Sequence, residues 1–162
     1  MNRLVTPCTI PAFAARVPAM NNGDSLTSSP LTLDEGKITD FARRFDPQPY
    51  HLDKAAAEAS IFGGLCASGW QVAALASRLT GEALERAGIH YVTTTKVSRL
   101  NWLKPTFAND SLVALVSPGD RQSGSSVTGC DTLEVAVVIQ DQNGRDVARM
   151  DCAVAVTAEP SP

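Results

Sequence analysis

The chain has 162 residues, 44% hydrophobic and 19% charged, with a formal net charge of −3, four cysteines and two histidines. That length and composition suit one globular domain with a substantial core, and no apolar run approaches the ~20 residues of a membrane span. The charge balance, with no Lys/Arg cluster among aromatics, excludes a general nucleic-acid surface. Cys8, Cys66, Cys130 and Cys152 form no CxxC pair, so no metal site is expected, and reduced thiols in a cytoplasmic protein are the economical reading.

Residues 1–22 carry Arg3 and Arg16, no acidic residue and no sustained apolar core, and read as a disordered extension with Met20 as a candidate functional start. The domain is expected over residues 23–158, followed by a tail at 159–162. A short strand is predicted over Ser25 to Leu31. Thr32-Leu33-Asp34-Glu35 has the form of a capping box, and Ile38, Phe41, Ala42 and Phe45 recur at helical spacing behind it.

That helix stops at Asp46-Pro47. Pro47 and Pro49 fix their own φ and push their predecessors out of the α region, so the segment from Asp46 to His51 is predicted to be a stiff, extended loop. A carboxylate and an imidazole on such a loop suit proton transfer to one small reactant, although on spacing alone the commoner reading is a capping Asp and a satisfied His. Asp53 is a candidate N-cap for an Ala-rich helix from Lys54 to Ser60.

Ser68-Gly69-Trp70-Gln71 forms a second capping box, with Ser68 as N-cap and Gly69 as first helical residue. The Gly69 N–H is then a free donor at a positive helix end with no side chain to obstruct a ligand, which describes an oxyanion hole. The helix it opens is expected to run to about Ala87, with Gly88 as its stop and Gly81 an internal weakness. Trp70, Val72, Ala73, Ala74, Leu75, Ala76 and Leu79 make it apolar nearly all round, which predicts burial inside a curved sheet. Ser77, eight residues after Gly69, falls on about the same side, where it either reaches a ligand or bonds back to a carbonyl. Cys66 lacks an activating cation and reads as a small hydrophobe.

Strand residues then dominate: Tyr91 to Leu103, Ser111 to Ser117, Val127 to Gln140 and Arg145 to Thr157. Asn143-Gly144 is a type I′ turn signal, and the stretch from Arg121 to Ser126 reads as a flexible loop. Ala148, Met150, Cys152, Val154 and Val156 alternate along the last strand, presenting one face to the central helix. The fold class is α+β, an antiparallel sheet around one long helix.

Phe41-Ala42, Asp46-x-x-Pro49-x-His51-x-Asp53, Phe62-Gly63-Gly64 and Ala67-x-Gly69, at these spacings, resemble the MaoC-like dehydratases, the (R)-specific enoyl-CoA hydratase group. Trp102-Leu103-Lys104-Pro105 with Asp110 extends the likeness, which covers roughly Leu26 to Thr157. The resemblance implies a single hot-dog domain that pairs into a homodimer or a dimer of dimers. It also implies Asp46 and His51 as the catalytic pair, Gly69 as oxyanion donor, and Ser77, Gln48 and Gly64 as further substrate-binding positions. Many members have Asn at position 48 and His at position 68, where this chain has Gln and Ser.

The implied reaction is reversible hydration of a trans-2-enoyl thioester of coenzyme A to the (R)-3-hydroxyacyl thioester. Asp46 would take the water proton and His51 would help to protonate Cα. Coenzyme A enters as part of the substrate, with no metal or redox cofactor, and Arg99, Lys104 and Arg121 are candidates by charge for its phosphates. Two rivals are a hot-dog thioesterase and a binding-only hot-dog. The absence of Asp or Glu between Gly69 and Gly81 weighs against the thioesterase, and the intact Asp46, His51 and Gly69 weigh against the binding-only protein.

Overall fold

The computed structural model describes residues 25–157. The expectations for the extension at 1–22, Met20 included, and for the tail at 159–162 lie outside them. Six strands and four helices follow in the order β1 (Leu26–Thr27), β2 (Leu31–Thr32), α1 (Glu35–Phe45), α2 (Pro49–Leu52), α3 (Lys54–Glu58), α4 (Gly69–Arg86), β3 (His90–Trp102), β4 (Ser111–Gln122), β5 (Asp131–Gln140) and β6 (Asp146–Thr157). The strands pair antiparallel in the order β1-β4-β5-β6-β3, with β2 also on β4.

This sheet packs on α4 in the hot-dog arrangement. Val72, Ala76, Leu79, Ala83 and Leu84 of α4 meet Leu112, Ala114 and Val116 of β4, Val135, Val137 and Ile139 of β5, and alternate residues of β6 in one core. Ala148, Met150, Cys152, Val154 and Val156 of β6 all belong to it, as the period-two pattern predicted. Burying each Val, Leu or Ile side chain there contributes about 1.5–3 kcal/mol before conformational entropy is charged against it.

Several local expectations are corrected. The first strand divides into β1 and β2 around Ser28-Ser29-Pro30. The N-cap of α1 is Asp34, whose carboxylate accepts the Lys37 N–H at 2.8 Å, while Thr32 belongs to β2. The stretch from Asp46 to His51 is not extended throughout. Pro49 sits at the first position of α2, where a missing N–H costs nothing, and His51 is carried on that helical turn. α3 ends at Glu58 rather than Ser60.

β4 continues through Gln122, with Arg121 opposite Leu133 beyond a register shift, so Arg121 belongs to a strand and is tied to Asp131 at 2.8 Å. β5 begins at Asp131, later than expected. The Asn143-Gly144 hairpin is not type I′, because Gly144 has φ 72° and Asn143 has no positive φ. The Gly144 N–H bonds Asp141 O, and the Asp141 carboxylate accepts the N–H groups of Asn143 and Arg145, locking a longer loop.

α4 is open along one stripe rather than buried all round, with Trp70, Ala74 and Arg78 exposed at four-residue spacing. The sheet wraps one side of the helix only. Gly81, expected as a weakness, is a packing requirement: a Cβ there would lie 2.8 Å from Tyr91 Cδ1.

Candidate active site

α1 delivers Asp46 at its C-terminus, and one turn later α2 turns His51 inward, 6% exposed and edge-on to Tyr50. Asp46 Oδ2 lies 3.5 Å from His51 Nε2. His51 Nδ1 is 2.7 Å from the carbonyl oxygen of Cys66. A carbonyl only accepts, so Nδ1 carries a proton and Nε2 is the ring nitrogen that faces Asp46.

The loop supplying that carbonyl is held across to the segment after β3, where Ala67 N–H donates to Thr106 O at 2.8 Å and Cys66 pairs with Phe107. It ends in Ser68, the N-cap of α4. The Ser68 hydroxyl accepts the Trp70 N–H at 3.2 Å and donates to Asp46 Oδ2 at 2.7 Å. The capping box is half realised, since Gln71 turns away and its Nε2 donates to Lys37 O. Gly69 then presents an N–H with no hydrogen-bond acceptor among the described residues, at the positive end of an 18-residue helix.

These groups open on one cavity of about 450 Å³, with Asp46, His51 and Gly69 in its wall beside Tyr50, Phe62 and Trp102. Cys66 also lines it, but burial pushes its thiol above the ordinary range, which suits an inert side chain. The arrangement can hold a small polar reactant beside a carboxylate and an imidazole, with a backbone donor nearby for developing negative charge. Among the described residues no three His, Cys, Asp or Glu side chains converge as a metal site would need.

The other predicted positions lie elsewhere. Ser77 faces a second cavity between α4 and β3, where its hydroxyl meets Thr94 Oγ1 at 3.2 Å and Tyr91 Oη at 3.3 Å rather than bonding a helix carbonyl. Gln48 is exposed and caps α2 without a side-chain bond. Gly64 packs toward the Phe107 ring, outside the cavity lining. Of the phosphate candidates, Arg99 pairs with Asp151 and Arg121 with Asp131, whereas Lys104 lines the cavity.

Two contributors were missed. Trp102 lays its indole on Gly69, donating Nε1–H to Gly69 O at 2.7 Å, so a Cβ on residue 69 would lie 2.9 Å from the ring. Thr106 lines the cavity with a buried hydroxyl that has no hydrogen-bond partner among the described residues. Neither has a sequence signal beyond the Trp-x-x-Pro spacing.

A carboxylate and an imidazole meet before the N-terminus of the central helix of a hot-dog sheet, an arrangement consistent with a domain of the dehydratase kind. The family described as the MaoC like domain matches residues 19–140, and the chain belongs to that family. It is 28% identical over 120 residues to the uncharacterised protein YdeM of Bacillus subtilis, covering 74% of this chain and 84% of that one. The crystal structure of a MaoC-like dehydratase from Rhodospirillum rubrum superposes with a TM-score of 0.71 and 32% identity, covering 88% of this chain and 96% of that one. The (R)-hydratase PhaJ1 of Pseudomonas aeruginosa shares the fold at a TM-score of 0.68 and 21% identity, over 88% of this chain and 86% of its own.

Proposed function

We propose that the protein hydrates a trans-2-enoyl thioester, most simply of coenzyme A, to the (R)-3-hydroxyacyl thioester, and catalyses the reverse dehydration. The observation that carries this reading is the 3.5 Å approach of Asp46 Oδ2 and His51 Nε2 in the same cavity as the unpaired Gly69 N–H.

With Nε2 unprotonated, one water lying beside the pair on its cavity side is held by Asp46 and His51 and directs its oxygen at Cβ. As the C–O bond forms, the Cα=Cβ electron pair moves into the thioester to make an enolate, whose oxygen takes the Gly69 N–H. The pair removes one proton from the water and returns it to Cα. Nδ1 is committed to Cys66 O, so His51 delivers to Cα only a proton that Nε2 has first accepted, which refines its expected part. The thioester acidifies Cα itself, so the step calls on no metal or redox cofactor.

Glu82, the first carboxylate along α4, bonds Ser29 N–H and is absent from the cavity wall, which disfavours a thioesterase built on a helix acid. Lys104 is the cation placed to meet the coenzyme. Among the described residues β3 pairs only with β6 and leaves Val97 and Trp102 about half exposed, features suited to joining a second copy edge to edge as a homodimer. The free, buried thiols of Cys66, Cys130 and Cys152 suit the reducing cytoplasm.

The test is to add purified protein to crotonyl-CoA and to a longer trans-2-enoyl-CoA and follow the conjugated enoyl absorbance. The expected result is its loss with formation of the (R)-3-hydroxyacyl product. Release of free coenzyme A with the double bond intact would favour the thioesterase. Saturable binding without turnover would favour a binding-only protein.

A further inference from the structure

The Trp102 indole begins a run of hydrogen bonds that ends on Asp46. Nε1–H donates to Gly69 O at 2.7 Å. The same peptide unit offers the Trp70 N–H to Ser68 Oγ at 3.2 Å, and the Ser68 hydroxyl donates to Asp46 Oδ2 at 2.7 Å. Every donor points the same way, toward the carboxylate, so each bond polarises the next and the negative charge closes the run.

We propose that Trp102 is a positioning residue for Asp46, acting through the Gly69–Trp70 peptide and Ser68; this rests on the hydratase reading above. Trp102 is the last residue of β3, so the run ties the sheet edge to the first turn of α4 and thence to the end of α1. Burial explains the residue poorly, since Trp102 is 45% exposed. What distinguishes it is a donor seated on the peptide that orients Ser68. The Trp70 ring packs edge-on against it at 79° with centroids 5.2 Å apart, an arrangement that favours this pose. The Ser68 hydroxyl has one proton; one of its two lone pairs takes the Trp70 N–H, and the proton goes to the Asp46 carboxylate at 2.7 Å.

The test is a double-mutant cycle on the enoyl thioester assay with Trp102→Phe, which keeps a ring and removes the donor, and Ser68→Ala. Trp102→Phe is expected to lower kcat about fivefold to tenfold with KM within about twofold, and to cost less than about twofold in the Ser68→Ala background. An unchanged kcat, or the same loss in both backgrounds, would overturn the proposal. A second readout needs no turnover. The indole N–H resonance that disappears in Trp102→Phe should move upfield in Ser68→Ala, and an unmoved resonance would overturn the run. If the wild type hydrates no enoyl thioester, the reaction assignment fails while this readout still decides the role of Trp102.

Discussion

Ser68 holds Asp46: its hydroxyl donates to Oδ2 at 2.7 Å while accepting the Trp70 N–H at 3.2 Å, so one side chain both caps α4 and fixes the candidate catalytic carboxylate. Substitution separates the two duties. Ser68→Gly costs only a few tenths of a kcal/mol of capping, whereas Ser68→Ala costs about 1 kcal/mol. Both variants are expected to lower kcat about tenfold to a hundredfold through a loosened Asp46, and Ser68→Thr is expected to keep activity. Steady-state kinetics beside urea midpoints check this; activity that tracks stability across the three variants would contradict it.

Gly69→Ala should fold but displace the Trp102 indole, whose ring atoms lie 2.9 Å from the new Cβ position. The methyl also crowds the space before the free N–H, so kcat is expected to fall at least about tenfold. Trp102→Ala removes the clash without restoring the rate. Recovery of activity in the double variant would reduce Gly69 to a packing role.

Gly81→Ala adds a methyl 2.8 Å from the Tyr91 ring in a buried stretch of α4. The crowding outweighs the gain in helix propensity, with a net loss of about 1–2 kcal/mol. Thermal unfolding checks this, and a raised midpoint would contradict it.

The fold was legible where a local pattern agreed with its surroundings. The alternation of β6 and the cap at Ser68 each belong to one element, and both reappear, whereas α4, apolar nearly all round in sequence, leaves Trp70, Ala74 and Arg78 exposed. The extended loop through His51 failed because Pro47 and Pro49 were read alike, although Pro49 is favoured at the first position of a helix. The type I′ turn failed because the Asp141 carboxylate, not the Asn143-Gly144 pair, organises that hairpin. Within the site, the family resemblance pointed to Asp46 and His51 and the capping pattern to Gly69, and the structure brings the three to one cavity. Trp102 was not, because its bond to Gly69 spans 33 residues and depends on where β3 ends.

Asp141 gives a pH prediction. Burial works against its charge, but hydrogen bonds from the Arg145 and Asn143 backbone and from the Arg145 side chain overcome it and hold the carboxyl at about 2, below its ordinary 3.8. A depressed folded pKa contributes stability that is fully present above the unfolded value and is lost as pH falls from 3.8 toward about 2. Urea midpoints across that window should fall more steeply for the wild type than for Asp141→Asn. Parallel curves would contradict the assignment.

Thr106 is 1% exposed and its Oγ1 has no hydrogen-bond partner among the described residues. Valine has the same shape without the unsatisfied group, so Thr106→Val is expected to be neutral or stabilising by up to about 1–3 kcal/mol. Denaturant unfolding measures this, and a loss beyond 1 kcal/mol would show that the hydroxyl is satisfied.

The most direct measurement compares wild type, Asp46→Asn and His51→Ala by loss of the conjugated enoyl thioester absorbance, with the product's configuration determined. The water-holding pair predicts turnover by wild type to the (R)-3-hydroxyacyl thioester and a fall in kcat of about 10²–10⁴-fold in each variant. Near-wild-type turnover in both purified, folded variants would contradict it.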